Sequence, residues 1–264
     1  MVKDEKQEKL LNLKDITIYY NQKRIIERLN IAVAKGEILV IVGESGCGKS
    51  TLLKAIIGLM GKNSKIASGE INFQGKDLIK MKATALRKFR GAEIAMIFQE
   101  AGASFCPIRK VRDQLYETVA QHKDWSQQVI EEKALLLLDK LHLSADVLDE
   151  YPFCLSGGMS QRIGILFAMI MQPQLILADE PTSALDAVTQ VSVAKEFLNL
   201  RDTYGSAMIV VTHHIGIAQY IADNIAVMKN GCIVEYASKK KIFEAPREAY
   251  TKSLIKAAPM LQRE

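Results

Sequence analysis

Between residues 37 and 50 the chain reads EILVIV followed by GESGCGKS, and this stretch limits what it can fold into more than any other. A short run that is apolar on both faces suits a strand buried in a covered parallel sheet, because a half-solvated strand alternates. Gly43 ends that strand, and Lys49–Met60 reads as a helix. Strand, glycine-rich turn and helix in this order carry the spacing G-x-x-x-x-G-K-[ST] from Gly43 to Ser50. The glycines let successive backbone N–H groups turn toward one anionic centre, and the helix N-terminus adds partial positive charge. Lys49 reaches the outer phosphate oxygens of such a ligand, and the Ser50 hydroxyl is a ligand for Mg2+. The turn reads as the cradle of a nucleoside triphosphate.

Two further segments bear on chemistry. In Leu175-Ile176-Leu177-Ala178-Asp179-Glu180, adjacent carboxylates end a wholly apolar strand. Solvation is poor there and mutual repulsion is costly, so the pair needs a reason, which a bound cation supplies. Asp179 is the candidate Mg2+ ligand, directly or through water, and Glu180 is placed to orient or deprotonate an attacking water. In Leu155-Ser156-Gly157-Gly158-Met159-Ser160-Gln161-Arg162, Ser156 can cap the following helix while two glycines leave backbone donors open to an anion. On physical grounds alone that segment is equally an N-cap on a loose turn.

Composition closes off several classes. With 264 residues, 48% hydrophobic and 25% charged, the chain is ordinary globular material that needs no disulfide scaffold. Its four cysteines, Cys47, Cys106, Cys154 and Cys232, are widely spaced and form no C-x-x-C pair, which points to a reducing compartment and away from zinc or Fe–S sites. The opening MVKDEKQEKL lacks the apolar core of a secretory signal, and no apolar stretch reaches the roughly 18 residues of a membrane span. A net charge of +5 with scattered Lys and Arg argues against nucleic acid; Lys239-Lys240-Lys241 reads as a solvated helix start.

Along the chain, Ile16–Tyr20 and Ile25–Val33 read as strands around a turn at Asn21–Arg24, Ser68–Asp77 as a second hairpin, and Glu93–Phe98 as a strand. Residues 108–143 have helical spacing and almost no strand signal, which predicts a helical insert. After it come a helix over Ile163–Met171, strands at Leu175–Ala178, Met208–Val211 and Asn224–Met228, and helices at Ala187–Arg201 and Ile215–Ala222. Asn230-Gly231 predicts a tight hairpin into Cys232–Glu235. Apolar strands alternating with helices indicate an α/β core.

The segment LSGGMSQR, downstream of the phosphate loop and shortly before ILADEPTSALD, resembles the signature of ABC-type ATPases. The resemblance runs from Ile16 to Leu261. It implies a P-loop NTPase cassette with a RecA-like parallel-sheet core, an antiparallel β subdomain and a helical subdomain. The core and β subdomain would span about 1–99 and 163–236, the helical subdomain with the signature about 100–162, and a helical tail 237–264. The resemblance implies ATP and Mg2+ as ligands. It assigns the nucleotide to Gly43, Glu44, Ser45, Gly46, Cys47, Gly48, Lys49, Ser50 and Thr51, with Tyr20 stacking on adenine. It gives Gln99 to Mg2+, the attacking water and sensing of the membrane subunit, and His213 to the γ-phosphate. Ser183-Ala184-Leu185-Asp186 matches the loop that passes between two ATPase subunits. His214 stands where relatives commonly have Asp, and Cys47 where they have Ser or Ala, which predicts sensitivity to alkylation. His122 and His142 carry no such context.

The same resemblance implies a split site, in which Ser156, Gly157, Gly158 and Gln161 of one subunit cover the nucleotide held by another. Implied partners are a second cassette, either a sibling or a second copy, two integral-membrane permeases and, indirectly, an extracellular solute-binding protein, with the chain on the cytoplasmic face of the membrane. Met159 in the signature, ADEPTSALDAVTQ, and Ile242-Phe243-Glu244-Ala245-Pro246 before Ala249-Tyr250-Thr251-Lys252-Ser253-Leu254 are similar to oligopeptide- and nickel-type importer ATPases. The lack of a cysteine-bearing extension tilts the expectation to the shorter nickel or metal-chelate branch. Competing readings are an accessory ATPase of a soluble complex such as a carbon–phosphorus lyase, a nucleic-acid-acting cassette, and a regulatory nucleotide-binding module without turnover.

Overall fold

Two long antiparallel strands, β1 (Lys9–Tyr20) and β2 (Lys23–Ala34), open the computed structural model, which describes residues 9–257 apart from Ala184 and the Ala187 side chain. The expectations for residues 1–8, 258–264 and Ala184 lie outside the described residues. Next come β3 (Ile38–Val42), α1 (Lys49–Ile56), β4 (Ser64–Phe73), β5 (Lys76–Asp77), α2 (Ala83–Phe89) and β6 (Ile94–Ile97). Three helices follow: α3 (Val111–Ala120), α4 (Gln127–Lys140) and α5 (Gly157–Met169). The chain then alternates through β7 (Leu175–Asp179), α6 (Ala187–Tyr204), β8 (Ala207–Thr212), α7 (Ile215–Ile221) and β9 (Asn224–Lys229). It closes with β10 (Cys232–Ser238), α8 (Lys239–Glu244) and α9 (Ala249–Ala257).

One sheet has the order β2-β1-β4-β5 and is antiparallel; the other has the order β10-β9-β3-β8-β7-β6. In the second, β9, β3, β8, β7 and β6 are parallel and β10 runs antiparallel along its edge. All of β3 is buried, because its two faces meet two cores. Val40 and Val42 pack with Leu115, Leu138 and Phe197 from the helical side, while Leu39 and Ile41 pack with Ile18, Ile26 and Leu53 beneath the antiparallel sheet. This double burial is the reason the run carries no alternation.

Turn chemistry fixes the edges. Asn21 and Gln22 both have positive φ, as a two-residue β1–β2 hairpin requires, and so do Asn230 and Gly231 between β9 and β10. The structure departs from the sequence reading at several boundaries. Helix α1 ends at Ile56 rather than Met60, because Gly58 takes φ 67 and Leu59 N–H bonds back to the Lys54 carbonyl at 2.8 Å. Strand β1 begins at Lys9, β4 begins at Ser64, and α2 was not anticipated; only its Leu86 is buried, so it shows almost no periodic signal. The 108–143 insert is two helices, with Ser126 capping the second. No helix among the described residues is long and apolar enough to cross a membrane.

Candidate nucleotide-binding site

Strands β3, β8, β7 and β6 are neighbours in that order, and their carboxyl ends open on one edge of the sheet. Ligands in open α/β sheets bind at such an edge. Here the four strands deliver the 43–48 turn, His213, the Asp179-Glu180 pair and Gln99 to a single place. A cavity of about 660 Å3 lies there, lined by Ser45, Gly46, Gly48, Lys49, Ser50 and Thr51, with Tyr20, Gln99, Glu180 and His213. Ile25 of β2 completes its wall, a position without any local sequence signal.

The turn is built as its glycines demand. Gly46 and Gly48 take φ 80 and 108, and Gly48 begins α1 from the left-handed region, which aims the following amides into the cavity. Gly43 admits no side chain, since a Cβ there collides with the Met228 carbonyl. Lys49 is only 4% exposed, and its ammonium donates to the carbonyls of Gly43 at 2.8 Å and Glu44 at 3.0 Å. A cation held on loop carbonyls at the cavity edge is ready for a stronger anionic partner.

The acidic end of β7 faces the same space. Ser50 Oγ donates to Asp179 Oδ1 at 2.7 Å, bringing two hard oxygen donors together as Mg2+ requires. Burial pushes the Asp179 carboxyl above the usual range, against the opposing effect of the Ser50 hydrogen bond. A buried carboxylate with raised proton affinity is a fitting seat for a divalent cation. Glu180 sits at φ 44, uncommon for a residue with a side chain, and its backbone is pinned on both sides. Its N–H donates to the Val211 carbonyl at 2.9 Å, and its own carbonyl accepts from Ser183 Oγ at 3.1 Å. The Glu180 carboxylate lies 3.0 Å from His213 Nδ1. His214 packs at a tilt against His213, ring centroids 4.0 Å apart, and burial, with His213 beside it, moves its pKa down.

Several residues expected at the nucleotide stand elsewhere. Gly43, Glu44 and Cys47 do not line the cavity; Glu44 and Cys47 face a smaller pocket on the other side of the turn, with Lys229 and Tyr250. The expectation that Cys47 is open to alkylation is overturned. The thiol is 7% exposed, and burial raises its pKa despite the opposing pull of Lys49. Ser156 is exposed and caps α5, its Oγ accepting from Met159 N–H at 3.3 Å. Neither it nor Gly157, Gly158 and Gln161 lines the chain's own cavity. A Cβ on Gly158 would press on the Thr189 methyl of α6 at 3.2 Å, and Thr189 in turn bonds Asp186, the cap of α6. Gly231, at the β9–β10 turn, ties both sheets to the turn: its N–H donates to the Cys47 carbonyl and its carbonyl accepts from Glu27 N–H, each at 3.1 Å.

This is the fold and the site layout of a P-loop nucleotide hydrolase. Over residues 26–183 the chain matches the ABC transporter family. It is 38% identical over 250 residues to the metal-staphylopine import system ATP-binding protein CntD of Staphylococcus aureus, covering 93% of this chain and 92% of that one. Its identity to the dipeptide transport ATP-binding protein DppD of Bacillus subtilis is 36% over 261 residues, covering 96% of this chain and 78% of that one. Among solved structures, the dimeric post-hydrolysis state of the ATP-binding cassette MJ0796, bound to ADP and Pi, matches with a TM-score of 0.76 at 26% identity, over 87% of this chain and 98% of that one. The chain therefore belongs to the ABC transporter family, as an ATPase cassette of the importer type.

Proposed function

We propose that this chain is the ATP-hydrolysing subunit of an importer that takes up a metal chelate, working on the cytoplasmic face of the membrane. The observation that carries the reading is the convergence of Lys49, the Ser50–Asp179 pair and the Glu180–His213 pair on one cavity, with the signature turn of the same chain absent from its lining. Lys49 and the loop amides hold the phosphates, and Tyr20, 49% exposed at the cavity rim, offers a ring for the base. Ser50, Asp179 and Gln99 are the residues that would hold Mg2+, and the ion would supply neutralisation of phosphate charge. Glu180 takes the proton of the attacking water, and His213 keeps that carboxylate turned inward. Ser156, Gly157 and Gly158 of a second cassette supply the missing wall. Two bound ATP then draw the cassettes together, and hydrolysis lets them part.

The path from this cavity to a membrane partner runs along the loop after β6. Gln99 lines the cavity, while its neighbours Phe98, Ala101 and Phe105 line a groove of about 510 Å3 between the parallel sheet and the helical region. A helix of a permease seated there reaches Gln99 through Phe98 and the loop that carries both. The relation to a metal-staphylopine import subunit supports a metal chelate as solute. The solute itself is held by the permeases and an external receptor.

The test is a tagged full-length chain purified from membranes in mild detergent, paired with uptake in cells carrying wild type or Glu180→Gln. Integral-membrane partners are expected to co-purify, and uptake of chelated radioactive nickel to fall in the variant while dipeptide uptake stays unchanged. Loss of dipeptide uptake alone would reassign the solute. Recovery of the chain with soluble enzymes and no permease would overturn the transport reading.

A further inference from the structure

The tail motif Ala249-Tyr250-Thr251-Lys252 has no part in the chemistry described so far, yet it reaches the phosphate loop. Tyr250, on α9, accepts a hydrogen bond at its hydroxyl from Glu44 N–H at 3.1 Å, across 206 residues of sequence. Its ring lies under the Lys229 ammonium, 4.7 Å from centroid to nitrogen, at the end of β9. Helix α9 is itself anchored, since Glu235 of β10 accepts from Arg247 N–H at 2.9 Å and Glu248 N–H at 3.2 Å.

The Glu44 N–H belongs to the same peptide group as the Gly43 carbonyl. That carbonyl accepts from the Lys49 ammonium at 2.8 Å. One rigid peptide plane is therefore held by Tyr250 on its donor side and holds Lys49 on its acceptor side. If the donor side were free, the plane could rotate, and one of the two carbonyls that hold Lys49 at rest would swing with it. Glu44 N–H points away from the nucleotide cavity into the smaller pocket that Tyr250 and Lys229 help to line, so a phosphate does not compete for it.

We propose that Tyr250 is a positioning residue of the nucleotide site: its hydroxyl fixes the Gly43–Glu44 peptide and, through it, Lys49. The inference rests on the reading of the 43–50 turn as the phosphate cradle. Tyr250→Phe removes the hydroxyl and keeps the ring beneath Lys229, so the fold is preserved.

The experiment compares wild type, Tyr250→Phe and Lys49→Ala as full-length chains, by calorimetric titration with MgATP, ATPase kinetics, thermal melting and hydrogen exchange of the Glu44 amide. In Tyr250→Phe the affinity for MgATP and 1/KM are expected to fall about three- to tenfold, the net worth of one hydrogen bond. The kcat stays as in wild type, the thermal midpoint falls by no more than about 4 °C, and the Glu44 amide exchanges faster. Wild-type affinity together with unchanged Glu44 protection overturns the proposal, as does an affinity loss that only tracks a lower thermal midpoint. If wild type binds MgATP and Lys49→Ala does not, the phosphate-cradle reading stands whatever Tyr250→Phe does. If wild type itself takes up no MgATP, that reading falls, and the role of Tyr250 with it.

Discussion

His213 Nδ1 lies 3.0 Å from Glu180 Oε2, joining the residue that follows β8 to the residue that follows β7. The contact matters because it holds the Glu180 carboxylate at the cavity that both residues line, while backbone bonds on either side keep Glu180 at φ 44. A glutamine there keeps size and shape but cannot take a proton. Glu180→Gln is expected to lower kcat about 10²–10⁴-fold while ATP affinity is retained and an ATP-bound dimer accumulates. Single-turnover hydrolysis and size-exclusion chromatography with MgATP check this; loss of ATP binding in the variant would contradict the role.

Asp179 gives a prediction in pH. Burial raises its carboxyl pKa in the folded chain. A carboxyl raised on folding favours the native state below its unfolded pKa, and that contribution is lost as pH climbs through the folded value. At neutral pH the buried charge is thus a cost, which Asp179→Asn removes. Without Mg2+, the variant should melt at a higher temperature than wild type at pH 7, and the gap should close below about pH 4. Hydrolysis should fall about 10²-fold or more, since several kcal/mol of metal stabilisation go with the carboxylate. A melting series from pH 3 to 8 without metal decides the first half; a variant less stable than wild type at pH 7 would refute it.

The phosphate turn and the acids of β7 were legible because each is a local pattern whose chemistry sits within a few residues. The double-sided burial of β3 was legible for the same reason. What brings the patterns together was not. The Ser50–Asp179 bond spans 129 residues, and the order β3-β8-β7 that places His213 between the loop and the acids follows from strand pairing at long range. Ile25 and Tyr250 were invisible as site residues for that reason, and α2 because a helix with one buried side chain has no period to read. The expectation for Cys47 failed because exposure depends on neighbours such as Lys49 and the β9–β10 turn, which spacing does not reveal.

Ser156→Arg separates binding from turnover. The side chain is exposed, and among the described residues its one polar contact is the cap on α5. Losing the cap costs about 1 kcal/mol of stability. Titration of the isolated chain with ATP should give wild-type affinity, while ATP hydrolysis is abolished because a bulky cation now occupies the face offered to a second cassette. Weakened ATP binding by dilute, monomeric variant would place the signature in the chain's own site instead.

Thiol chemistry tests the corrected view of Cys47. Cys106 and Cys154 are exposed, whereas Cys47 is buried with a raised pKa. Iodoacetamide at about pH 7.5 should label the exposed Cys106 and Cys154 first, and Cys47 at least about tenfold more slowly. Peptide mapping over time reads the order directly. Rapid labelling of Cys47 in the native chain would show the loop to be open.

Gly231 links the antiparallel sheet to the phosphate turn. Its single residue accepts from Glu27 in the antiparallel sheet and donates to Cys47 in the phosphate turn, and a Cβ at its position would strike the Ile25 carbonyl. Any tug on one sheet is therefore handed to the turn without slack, like a linkage with a single pin. Base-side and phosphate-side walls of the cavity cannot drift apart independently, and substitutions in a distant hairpin become, mechanically, substitutions in the nucleotide pocket.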